Sequence, residues 1–582
     1  MSTGTLRRLV CLASLALLLA LPARAAPLSQ GPGWGAAEQQ RFYTTDQGSR
    51  LIPYRWAQAL KQADGTPLLA DSLARYGYIA NPDGPVKGLP VGFVVGADPA
   101  GPGGGPSLGM NCSACHTRQI EAGGQVYRID GGPALADFQS FLADLNADMG
   151  RALGSTEAFA GFARVVLNTT DPSAAAVAAL RQAVQAWYDP FKLIMDISLP
   201  PAPWGVGRLD AISLIFNRVA GLDIGEDGKP IAANMAVADA PARYPFLWNA
   251  SRQDLTQWPG FAPNGSPFFG LGRNTGEVLG VFARFHPQKQ LFGHIDYTAG
   301  SSIRITGLWT LESLLPRIGP PRFPGAIDPA LRDAGKLVFE RRDGPNTPSC
   351  WDCHGVTPGG LRPPSLSTWR TPVQEVGTDS REWQVLGRTV NAGVLAGANI
   401  PLTLRRLPAN GAAAADVLKT AVLGSIVQDI IPLLAFIAAD KAEIAGLAPD
   451  WKQTLLSPAE LLGMLQDPLD LPGPPAAGTF PYESRVLNGI WAAAPYLHNG
   501  SVPTLEDLLK PVAERPARFA VGTAYDLQRV GLARNQPSVV SSTTITTDCA
   551  DRNSGNSRCG HTFGASLSAA DKAALLEYLK SL

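Results

Sequence analysis

Two pentapeptides carry the chemistry of this chain, Cys112-Ser113-Ala114-Cys115-His116 and Cys350-Trp351-Asp352-Cys353-His354. In each, two thiols three residues apart fall on one side of a helical turn, where both can bond one flat partner through its two vinyl groups. The histidine that follows directly faces the centre of that partner and offers it a ring nitrogen. C-x-x-C-H is the attachment signature of a c-type haem. A zinc site or a redox C-x-x-C also uses paired thiols, but neither accounts for a histidine immediately after both pairs. The sequence therefore predicts two covalently bound c-type haems, one on Cys112, Cys115 and His116, the other on Cys350, Cys353 and His354.

Iron in such a haem has two axial positions, so two haems call for up to four ligands. After the motifs, His286, His294, His498 and His561 remain of six histidines, and six methionines offer few alternatives. His561 is the expected second ligand of the second iron, because it lies just before the C-terminal helix, flanked by Gly560 and Gly564. The plain alternative is a surface-loop histidine. Cys549 and Cys559 are the other thiols of the mature chain, and an oxidising compartment joins them. That bridge would close the loop presenting His561. His498 is left open between a ligand and a hydrogen-bonding residue near a propionate or the path between haems. His286 and His294 sit in a polar stretch whose composition suits a surface.

The elements that must position these groups are less sharply drawn. A chain of 582 residues allows two to four domains, and 49 basic against 49 acidic side chains give no electrostatic case for nucleic acid. Aromatics are sparse while Gly (61) and Pro (50) are plentiful, which predicts a mainly α chain with much irregular structure around its cofactors and little sheet. The expected organisation begins with a secretory signal over residues 1–25: Arg7 and Arg8, an apolar stretch from Leu9 to Leu21, and Ala23-Arg24-Ala25. Cys11 leaves with it, and the destination is the periplasm or the medium. A loop-rich segment over 26–105 follows, ending in the run Gly101 to Pro106. A first haem domain with an aromatic-rich insertion spans 106–325. A second, cytochrome c-like haem domain spans 326–582, with an insertion at about 360–480.

Within this frame a helix is predicted from Pro133 to Gly150, with Leu135, Phe138, Leu142, Leu145 and Met149 at helical spacing. Asp328-Pro329 opens another, through Phe339, and Ser568 with Asp571 opens the last. The apolar run 421–438 contains Gln428, Asp429 and Pro432, which a bilayer would disfavour. It reads as a buried helix interrupted at Pro432, a lipid- or substrate-facing patch being the alternative, and no transmembrane helix is expected in the mature chain. Trp204, Phe216, Tyr244, Phe246, Trp248, Trp258, Phe261, Phe268 and Phe269 are singly core residues. As a group, some are expected to line the first haem's distal pocket.

Phe42 to Tyr54, Gly109 to His116, Arg128 to Pro133, Leu487 to Ser501 and Gly555 to His561 together resemble the di-haem cytochrome c peroxidase superfamily. They are closest to its rubber oxygenase branch, which also contains fatty-acid dioxygenases. The helices around the second motif are similar to the terminal pair of class I cytochromes c, with Gly335 and Tyr578 at the small and aromatic crossing positions. No comparable helix precedes Cys112. The resemblance implies that the haem on His116 keeps an open face for oxygen, while the haem between His354 and His561 is bis-histidine, low-spin and not itself reactive. His498 matches a histidine that the superfamily carries after its second motif. The superfamily's peroxidases use a methionine on the electron-accepting haem, and none lies between Met464 and the C-terminus. Trp248 and Phe261 stand nearest the oxygenases' aromatic distal residues, so His116, Trp248, Phe261 and His498 are the expected catalytic set. Cys549 and Cys559 depart from the family's usual pattern.

The activity so implied is oxygenation or cleavage of an unsaturated hydrophobic small molecule or polymer, of polyisoprene or fatty-acid type, by O2. Reduction of H2O2 is the first alternative, with a periplasmic electron donor as partner. A non-catalytic di-haem electron carrier is the second, and the long aromatic-rich stretch favours an enzyme over it.

Overall fold

The computed structural model describes residues 26–344, 347–362, 366–401, 403–439, 478–537 and 542–582. The expected signal segment and Met464 lie outside them. Helices supply most of the regular structure, and the described sheets have two or three short strands.

The first motif is delivered by a small antiparallel sheet. Strands β1 (Ile52–Pro53), β2 (Phe93–Gly96) and β3 (Ser107–Met110) pair in the order β1-β3-β2, with Ile52 opposite Leu108 and Phe93 opposite Met110. β3 runs into a short helix, which follows α1 (Ala36–Thr44) in the chain and is here α2 (Cys112–Cys115). The segment 26–105 and the first motif therefore share one sheet. Gly92 lies at φ +79°, and a Cβ there would stand 2.1 Å from the amide nitrogen of Ala114, so only glycine lets the strand approach the motif so closely.

Strands β4 (Thr117–Ala122) and β5 (Gln125–Asp130) form the hairpin leaving the motif, with Thr117 opposite Asp130. The buried Asp130 carboxylate accepts hydrogen bonds from Trp34, Gln39 and Tyr43. Three donors offset the cost of burying that charge and pin α1 to β5, the partner of the strand that leaves His116.

Helices α3 (Phe138–Leu153), α4 (Thr156–Val166) and α5 (Ala174–Ser198) pack behind this sheet. α3 starts at Phe138, not Pro133, because the Asp137 side chain caps the Ser140 amide. It continues through Gly150, where a Cβ would meet the Tyr188 hydroxyl at 2.7 Å.

Further along the chain, α6 (Ala211–Phe216), α7 (Pro267–Gly280) and α8 (Ile305–Leu314) precede α9 (Pro329–Glu340) and the second motif's α10 (Cys350–His354). The apolar run forms α11 (Ala414–Gln428) and α12 (Ile430–Ala439), and α13 (Ala569–Ser581) closes the chain. The break falls at Asp429 with a bend of 55°, rather than at Pro432. Proline clashes with the carbonyl four residues before it, here Gln428, so the interruption precedes the ring and Pro432 sits in the first turn of α12. α11 buries Val417, Ala421 and Ile426. Among the described residues no single helix is long and apolar enough to cross a membrane, although the bent pair passes by length and composition.

α9 and α13 cross at Gly335, where a Cβ would stand 1.9 Å from the Ala574 carbonyl and 2.8 Å from the Tyr578 Cβ. Asp328 caps α9 through its side chain, and its amide donates to Glu577 of α13. One apolar core joins Trp34, Phe42 and Ile120 to Trp491, Leu575 and Leu579. It draws on both sides of residue 325.

Candidate haem sites

The turn of α2 begins on Asn111, whose side chain accepts the Ser113 amide. This orients Cys112, Cys115 and His116 into a cavity of about 150 Å³. The Nδ1 of His116 lies 2.9 Å from the Pro245 carbonyl. A carbonyl only accepts, so Nδ1 carries the proton and Nε2 keeps its lone pair for a metal. Burial holds the ring neutral, bringing its pKa down to about 4. Tyr244 stands edge-on to it, ring centres 6.1 Å apart.

The second motif repeats the arrangement. Ser349 and Asp352 form a capping box at the start of α10, and His354 Nδ1 lies 2.8 Å from the Arg485 carbonyl. Cys350, Cys353 and His354 line a cavity of about 180 Å³ together with His561. The two imidazole rings are 6.0 Å apart, centre to centre. Two rings bound to opposite sides of one metal, each by a bond of about 2 Å, stand at roughly that separation. Burial, then the neighbouring His354 and Arg515, bring the His561 pKa down to about 3.

His561 is held from several directions. Its amide donates to the Val376 carbonyl, 2.8 Å away. Arg515 donates to the carbonyls of Arg558, Gly560 and His561 at 2.7–3.0 Å. The disulfide Cys549–Cys559, with Cα atoms 5.0 Å apart, closes the loop just before it. The backbone of His561 is left-handed at φ 49°, a conformation a non-glycine residue keeps only where its surroundings enforce it.

The residues present fit a haem at each motif. All four motif thiols are free, and burial raises them, Cys115 to about 12 and Cys350 to about 11. Among the described residues no cluster of three or more His, Cys, Asp or Glu side chains is placed to hold a metal ion.

Arg243, Trp258 and Arg485 line both cavities. The Trp258 indole donates to the Arg243 carbonyl, the Arg243 guanidinium lies 4.7 Å from its ring centre, and burial lowers the Arg243 pKa to about 9. The first cavity also holds polar side chains from α7. Arg273 pairs with the buried Glu312 at 3.0 Å, and Glu277 accepts from Gln257 at 2.8 Å. Burial, opposed by Arg273, raises the Glu277 pKa.

With this geometry in place, residues 481–520 match the family described as RoxA-like, cytochrome c-like. That segment includes Tyr482, Glu483, Arg485 and His498 of the second cavity, and it implies haem. Over 94% of its length the chain is 30% identical to "Uncharacterized protein y4iJ" of Sinorhizobium fredii (strain NBRC 101917 / NGR234), covering 92% of that protein. The chain belongs to the same family as that protein. Another protein of the same strain, "Uncharacterized protein y4iM", is 57% identical over 51 residues, 9% of this chain and 12% of that protein.

The structure separates the other expected site residues from the first cavity. Trp248 is fully buried, stacks on Phe246 and donates to the Asn488 carbonyl, so it is core. Phe261 is half-buried against the core around α7. Neither is among the described residues lining either cavity. His498 lines the second cavity, stacked on Tyr482 at 3.8 Å, and so does not sit beside His116. His286 and His294 are exposed. Of the aromatic group, Tyr244 and Trp258 face the first cavity, and Phe246 with Trp258 the second. Sequence reasoning missed Arg273 and Glu277; a charged pair four residues apart in an otherwise apolar, glycine-rich helix was the available signal.

Proposed function

We propose that this chain is an exported di-haem c-type oxidoreductase. At its first site it uses dioxygen to oxygenate or cleave an unsaturated hydrophobic substrate of polyisoprene or fatty-acid type, and its second site supports electron transfer. One asymmetry carries the reading. The second cavity sets His354 and His561 with ring centres 6.0 Å apart, whereas His116 is the one histidine among the described residues lining the first.

When bound, the haem supplies the means to bind and activate dioxygen. The chain supplies its placement. Cys112 and Cys115 would hold its edge through thioether links, and the Pro245 carbonyl keeps His116 in the tautomer that offers Nε2. Leu209, Ile212, Leu214, Ile215, Leu247 and Leu315 give the first cavity an apolar wall, which favours a hydrocarbon over water. Trp258, in contact with both cavities, stands where an electron would pass between them. Cys350, Cys353, His354 and His561 would hold the second haem with both axial positions taken.

Reduction of hydrogen peroxide is favoured by a different observation. Glu277 stands in the first cavity and accepts from Gln257, and burial raises its pKa, the direction that suits a carboxyl delivering a proton to a departing oxygen. Oxygen-electrode measurements separate the readings. Uptake of O2 that requires an unsaturated substrate and proceeds without peroxide is expected. Turnover of peroxide alone, lost in Glu277→Gln, would establish the second reading instead.

A further inference from the structure

We propose that Arg485 is a positioning residue that couples the two sites. Its backbone carbonyl accepts the Nδ1–H of His354 at 2.8 Å. Its guanidinium Nη2 donates to the Phe246 carbonyl at 2.8 Å, and Phe246 directly follows Pro245, whose carbonyl takes the Nδ1–H of His116 at 2.9 Å. One residue thus holds the carbonyl behind one axial histidine and braces the peptide behind the other.

Burial makes this link stiff. Arg485 is 4% exposed, and its guanidinium lies 4.5 Å from the Phe246 ring centre and 5.9 Å from that of Trp258. Glu483 anchors it at 3.1 Å. Trp258 and Arg243 share the wall between the cavities, and neither presents a carbonyl to a motif histidine; Arg485 presents its own to His354 on one side and donates to the peptide next to Pro245 on the other. A hydrogen bond to the far nitrogen of a ligating histidine sets its basicity and ring orientation. A shift in the ring at one site is therefore passed through the Arg485 backbone and side chain to the ring at the other. Coupling of this kind is reciprocal.

The proposal rests on both motifs holding haem, so the haem count of the wild type is taken first by pyridine haemochrome. A count of one would overturn that reading without bearing on the link. With two haems, cyanide is titrated into the oxidised chain and into the chain with its second haem reduced. The first-site affinity is expected to differ ~5-fold or more between the two states, and Arg485→Gln to shrink that ratio at least ~3-fold. The low-spin g-values of the variant should move as well, since the carbonyl that accepts from His354 is no longer anchored through the side chain to Glu483 and Phe246. Arg485→Lys keeps the charge but cannot bridge Glu483 and Phe246 together. If the glutamine variant loses haem, a weakened ratio in the lysine variant supports the link, and an unchanged ratio overturns it. A wild type whose affinity ignores the second haem also overturns it, as does a full ratio in Arg485→Gln.

Discussion

At the scale of single residues, the site rests on imidazoles kept neutral by burial and aimed by backbone carbonyls. His561→Ala should convert the low-spin signal to high-spin and leave the first site's spectrum unchanged; a persisting low-spin signal would pass the ligand role to His498. His498 makes a separate prediction about pH. Burial, then Arg243, brings its pKa from 6.5 to about 3, so the unfolded chain binds a proton there that the folded chain refuses. The stability it contributes is present above pH 6.5 and lost as pH falls toward 3. Denaturant unfolding at pH 6.5 and 4.5 should show the wild type losing about 2 kcal/mol more than His498→Gln; equal losses would contradict the assignment. The motif residues and His561 were legible because their chemistry is written in consecutive letters or chain position. Trp258 was legible only as one of nine aromatics, and Glu277 and Arg485 were not, because a side chain's facing a cavity is decided by elements hundreds of residues apart.

At the scale of elements, the helix crossing and the His561 loop are the features most open to test. Gly335→Val would drive two methyl groups into the Ala574 carbonyl and Tyr578, and should cost about 3 kcal/mol in thermal or denaturant unfolding. Replacing both Cys549 and Cys559 by serine should lower stability by about 2–3 kcal/mol and broaden the low-spin signal, while Arg515 keeps the loop near its place. The caps at Asp328 and Ser568 were readable because capping is local chemistry. The start of α3 was displaced because Asp137, closer to the periodic stretch, outcompetes Pro133. Pro432 was recognised as an interruption, but its steric reach is backward along the chain, so the bend appears at Asp429.

At the scale of the whole molecule, the chain is interleaved. The sheet before Cys112 takes strands from the segment ahead of it, and one core spans both motifs. A composition-based division at residues 105 and 325 could not register this, since the pairing of β1 with β3 and the gathering of Trp34 and Leu579 into one core leave no trace in local pattern. The consequence is two cavities of similar size that share Arg243, Trp258 and Arg485 in one wall, with histidines on both sides of one and on a single side of the other. The most direct test of that asymmetry is electron paramagnetic resonance of the purified oxidised protein, before and after cyanide, with the haem content fixed by pyridine haemochrome. Two c-type haems per chain are predicted, one low-spin signal indifferent to cyanide and one high-spin signal that cyanide converts to low-spin. Two cyanide-insensitive low-spin signals would show both irons closed and contradict an oxygen-accepting first site.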